Sequence, residues 1–94
     1  MGQKLSLREA ELYKRSDEVL HYVWDPIGVA GVPAARDEYH SYLPQVFGLV
    51  RDLADRETIA AYLVTIETER MGLPGKLDAA RAVADILLDW REWI

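Results

Sequence analysis

The residues able to do chemistry crowd into one stretch. His21-Tyr22-Val23-Trp24-Asp25-Pro26-Ile27-Gly28-Val29 is followed closely by Asp37-Glu38-Tyr39-His40-Ser41-Tyr42, which brings three carboxylates, both histidines of the chain and several aromatics together. Three kinds of chemistry use such groups. As a metal site, Asp25, Asp37, Glu38, His21 and His40 offer oxygen and nitrogen ligands. The two histidines form no i, i+4 pair, however, and no repeated Glu-x-x-His motif fixes a carboxylate-bridged centre. As an enzyme, the same carboxylates would serve as general acid and base, with His21 or His40. Nothing here resembles a Ser/His/Asp set, a phosphate-cradling glycine loop or an activated thiol. No catalytic residue, cofactor or metal ligand set is therefore expected.

The third use is binding. Carboxylates beside exposed aromatics make a contact surface for Arg- or Lys-rich partners. On this reading Asp25, Asp37 and Glu38, flanked by Trp24, Tyr39 and Tyr42, contact a basic surface on another protein. A structural account competes with it. The Asp25 carboxylate would cap a turn by accepting from Ile27 or Gly28, with Trp24 packed above it, while Tyr39 and Tyr42 face the core. Asp37 and Glu38 would then favour a helix start.

The elements that must position these residues follow from spacing. Ser6-Leu7-Arg8-Glu9 has the capping-box pattern and opens a helix from about Leu7 to Val23, with Leu12, Ser16, Val19, Leu20 and Val23 on its apolar side. Asp25-Pro26 stops it, since proline disfavours helical backbone at the residue before it. His21 is expected partly exposed at that helix end. Ile27 to Pro33 reads as an apolar loop, stiffened by prolines and pressed on the core. A second helical stretch from about Ala34 places Tyr39, Tyr42, Leu43, Val46, Phe47, Leu49, Val50 and Leu53 at compatible spacing. Pro44 divides it into a short turn and a main helix with proline in its first turn. Asp55 caps a third helix to about Met71. Glu67 and Glu69, around Arg70, are expected on its solvated face. Gly72 and Pro74-Gly75 end it. A last helix from about Lys76 to Trp93 buries Leu77, Ala80, Val83, Ala84, Leu87, Trp90 and Ile94.

The fold expected is all-α: a compact antiparallel four-helix bundle in a single domain, residues 1–94, with about the first five residues disordered. Leu87, Leu88, Trp90, Trp93 and Ile94 make the last helix apolar on more than one side, so a homodimer through Trp90, Trp93 and Ile94 is an expectation too.

Composition narrows the partners. The net charge of -5 and pI near 4.9 leave no basic face for phosphates, so nucleic acid is not an expected partner. No stretch approaches the apolar length of a membrane span. The lack of cysteine excludes disulfides and thiolate zinc sites and fits a cytoplasmic setting.

Trp24-Asp25-Pro26-Ile27-Gly28, Asp37-Glu38-Tyr39, Tyr42 and the apolar helix after Pro44 resemble a family of small uncharacterised bacterial proteins. The resemblance covers about residues 20–70. It implies a helical fold and supplies no catalytic residue. The expected function is thus that of a small acidic interaction module, of the class that includes immunity proteins, antitoxins and adaptors. The alternative is a structural or regulatory homo-oligomeric domain.

Overall fold

The computed structural model describes residues 5–94, all helix, turn and loop with no strand among them. Of the segment expected to be disordered, residues 1–4 lie outside the described part. The capping box at Ser6 is present in full: the Ser6 hydroxyl accepts from the Glu9 N–H, and the Glu9 carboxylate accepts from the Ser6 N–H. It starts α1, Leu7–Val19. The helix then continues through Trp24 as a π-helical turn, whose closing bond runs from the Asp25 N–H to the Leu20 carbonyl. Such a turn inserts extra chain and rotates the apolar stripe. His21 and Trp24 therefore point inward, while Val23, expected inside, is half exposed.

A short 3₁₀ turn, Pro33–Ala35, is followed by consecutive turns to Tyr42 and by α2, Leu43–Arg51, with Pro44 in its first turn. The expected division at Pro44 is found. Leu53 is not part of the stripe. It lies past the helix end in left-handed backbone, with φ of 68°, and its side chain is exposed.

Asp55 caps α3, Arg56–Thr65, by accepting from the Thr58 N–H. This helix also runs on as a π-helical turn, Ile66–Arg70, before Gly72. The last helix, α4, spans Leu77–Trp93. Leu77, expected in the core, is exposed at its start, whereas Ala80, Val83, Ala84 and Leu87 are buried as expected.

The helices run up, down, up and down. Arg8 near the start of α1 reaches the Arg91 carbonyl at the end of α4, Tyr13 meets Phe47 edge-on, and Arg81 on α4 pairs with Glu57 at the start of α3. One continuous core joins them, built on Leu12, Leu20, Val46, Val50, Ile59, Leu63 and Leu87. Burying each such side chain stabilises the fold by about 1.5–3 kcal/mol before the entropy of ordering is set against it. The arrangement places both π-helical turns, the loop after Asp25 and the segment before α2 at one end of the bundle.

Candidate functional site

The six sequence candidates converge on that end, and they separate into two groups. Trp24, Asp25 and Tyr39 form a brace, Tyr42 packs beside it, and Asp37 and Glu38 lie outside it.

Asp25 organises the brace. Its backbone has φ of 32°, a left-handed conformation that strains a residue with a side chain. Its carboxylate compensates by accepting from the Val29 N–H at 2.7 Å, the Ala30 N–H at 3.0 Å and the Tyr39 hydroxyl at 2.7 Å. The amides it holds thus lie two residues beyond the Ile27 or Gly28 contact expected from sequence. Ile27 is instead held by Tyr39, whose hydroxyl oxygen accepts the Ile27 N–H at 3.2 Å. Burial pulls the Asp25 pKa up, but the bonds from Tyr39, Val29 and Ala30 outweigh it and hold the carboxyl below its usual range. Burial and the adjacent carboxylate push the Tyr39 hydroxyl well above the usual tyrosine range.

The loop so held is not pressed on the core. Ile27 and Val32 are exposed and only Val29 packs inward, which corrects the expectation for this segment. Its shape comes from side-chain hydrogen bonds rather than from apolar burial.

Trp24 and Tyr39 are buried, not exposed, with ring centroids 5.2 Å apart. Tyr42 lies edge-on to Trp24 at 6.3 Å and is partly buried. The Trp24 indole N–H donates to Glu67 Oε2 at 2.7 Å, and the other Glu67 oxygen accepts the Lys76 N–H at 2.9 Å. Glu67 is only 4% exposed. It was expected on a solvated face because it is charged, but it follows buried Leu63 by four residues and so shares that side of the helix, where its two hydrogen bonds satisfy the carboxylate, while Glu69 stays outside. One signal was available: an indole that must be buried needs an acceptor. Its distance along the chain hid which one.

His21 is also a correction. It is 2% exposed, packed edge-on against Tyr22, and its Nδ1 has no hydrogen-bond partner among the described residues. His40 is on the surface, where Nε2 lies 3.1 Å from Asp17 Oδ1. The same carboxylate takes both terminal nitrogens of Arg36 at 3.0 Å. Arg36 in turn covers the Tyr22 ring. Asp17 on α1 therefore clamps the segment on both sides of Asp37 and Glu38.

Asp37 and Glu38 are exposed and form no ion pair among the described residues. The five candidate metal ligands do not converge: among the described residues no group of three or more histidine or acidic side chains is placed to hold an ion. Nor is any helix of the described part long and apolar enough to cross a membrane. A groove of about 550 Å³ opens beside the brace, between Val23, Trp24, Pro26 and the start of α4 at Ala79, Ala82 and Val83.

No family model matches the chain, and no curated protein or solved structure matches it, in agreement with a resemblance confined to an uncharacterised family.

Proposed function

We propose that the protein is a non-catalytic interaction module that presents Asp37 and Glu38 to a basic surface on a protein partner. The observation that carries this reading is their fixed presentation. Arg36 and His40 on either side are anchored to Asp17, and Tyr39 between them is anchored to Asp25, yet the two carboxylates themselves are unpaired and exposed. Side chains on an ordered backbone lose less entropy on binding than those on a loose loop. The net charge of -5 adds long-range attraction for a cationic partner.

Trp24, Asp25 and Tyr39 serve this surface from beneath, as its support, rather than by touching the partner. The test is capture from a lysate of the source organism, with bound protein eluted by rising salt. The Asp37→Lys/Glu38→Lys variant should lose a basic protein that the natural chain retains, with helicity and melting temperature unchanged. Undiminished capture by that variant would overturn the proposal.

A further inference from the structure

The outer face of α4 carries a pattern that the acidic surface does not use. Ala79, Ala82, Ile86, Trp90 and Trp93 stand at -7, -4, 0, +4 and +7 relative to Ile86, so they share one helix face and their spacing reads the same in both directions. The sizes do not read the same. Two alanines occupy one half and two tryptophans the other. Ala79 and Ala82 are exposed, Ile86 and Trp90 are partly buried, and Trp93 is 83% exposed. Set in a contiguous stripe with Ile86 and Trp90, so exposed an indole marks a contact surface.

We propose that this stripe is a homodimer interface in which two α4 helices cross antiparallel about a two-fold axis at Ile86. In that register Trp93 of one copy falls opposite Ala79 of the other, and Trp90 falls opposite Ala82. Large residues meet small ones at every step, and Ile86 meets itself. Both ends match because a rise of about 1.5 Å per residue sets Ala79 and Trp93 each about 10 Å from Ile86.

The receiving surface exists on the same molecule. The 550 Å³ groove beside Ala79 and Ala82, walled by Val23, Trp24, Pro26 and Val83, lies where the Trp93 indole of the second copy arrives. A second recess of about 450 Å³, lined by Ile86, Asp89, Trp90 and Trp93, takes the middle of the facing helix. No charged pair is buried by the register. Asp89, at +3 on the edge of the stripe, is exposed and forms no ion pair among the described residues, while Arg81, at -5, is turned from the stripe toward Glu57 on α3. Because knob and groove sit at equal distances on either side of one point, the contact closes as a dimer instead of propagating into a filament.

The surface is distinct from Asp37 and Glu38, and the proposal stands without the basic partner. Sedimentation equilibrium tests it from micromolar to about 1 mM, where even a weak contact is substantially populated. The natural chain should rise from 10.7 kDa toward twice that mass. Trp93→Ala and Ala79→Trp should each remain monomeric over the same range, while retaining helicity. The double variant Trp93→Ala/Ala79→Trp restores a large residue opposite a small one and should dimerise again. Ala82→Glu, at another exposed position, should also be monomeric and serves if a tryptophan exchange fails to fold. Added salt should strengthen this association between two acidic chains, whereas it weakens capture of a basic partner. A natural chain that stays at 10.7 kDa, single variants that dimerise like it, or a double variant that stays monomeric would overturn the proposal.

Discussion

Helices α1 and α3 finish at the same end of the bundle in the same way, each with a π-helical turn closed by a bond of 3.1 Å, and then stop by different means. After α3 the chain leaves through Gly72, with φ of 68°, where no Cβ resists the left-handed conformation and no atom lies within 4 Å of where one would sit. After α1 it leaves through Asp25 in strained backbone, and the strain is offset by three hydrogen bonds to one carboxylate. A glycine stop ends a helix and does no more. A carboxylate stop also shapes the next residues and reaches across to Tyr39, so it fixes the segment carrying Asp37 and Glu38. Glu67 ties the two stops together through Trp24 and Lys76.

The contrast can be broken most strongly at that tie. Glu67→Ala strands a buried indole N–H and the Lys76 N–H at once, and urea denaturation should show a loss of about 3 kcal/mol. Glu67→Gln, which keeps an acceptor for one of them, should lose about half as much. A loss below about 1 kcal/mol for the alanine variant would mean that water replaces the carboxylate and that the two stops are independent.

The stops themselves can be compared next. Asp25→Ala removes every carboxylate bond and keeps the backbone strain, so about 2–3 kcal/mol should be lost. Asp25→Gly removes the same bonds but relieves the strain and should recover about 1 kcal/mol of that. Gly72→Ala, which introduces strain without touching any network, should cost only about 1 kcal/mol. If Asp25→Gly were as stable as the natural chain, the first stop would be conformational like the second.

Acidity sharpens the difference with the smallest effect. The Asp25 carboxyl is held below its ordinary value of about 4. Its contribution is therefore complete above that pH and fades as pH falls through the lower folded-state value. Urea midpoints measured from neutral pH to about pH 2 should show the gap between the natural chain and Asp25→Asn narrowing across that acid window. A gap independent of pH would separate the brace from the charge on Asp25.

The sequence made the helical periods, the capping box at Ser6, the Asp55 cap, the division at Pro44 and the break at Gly72 legible, because each rests on neighbours within about one turn. The register inside the π-helical turn after α1 was not legible. A stripe counted at 3.6 residues per turn puts Val23 inside and His21 outside, and after the extra chain of the first turn Val23 is half exposed and His21 buried; Glu67 falls with Leu63 on the buried side even by that count, and only its charge argued for water. The site was half legible for a related reason. The density of carboxylates and aromatics marked the correct end of the bundle, but Trp24 and Tyr39 turned inward to partners 43 and 14 residues away, at Glu67 and Asp25. Short-range patterns carry no information about such pairs.

The loop from Ile27 to Ala30 shows side-chain exposure and backbone protection parting company. Its Ile27 side chain faces solvent, yet the amides of Ile27, Val29 and Ala30 are tied to Tyr39 and Asp25. The Ile27 amide is held by the hydroxyl of a buried ring, and the Val29 and Ala30 amides by a carboxylate that the same hydroxyl holds, so all three should exchange more slowly than the exposure of the loop suggests. Hydrogen exchange of these three amides in step with the ends of α1 and α3 would make an exposed stretch part of the cooperative unit that holds the bundle's interior.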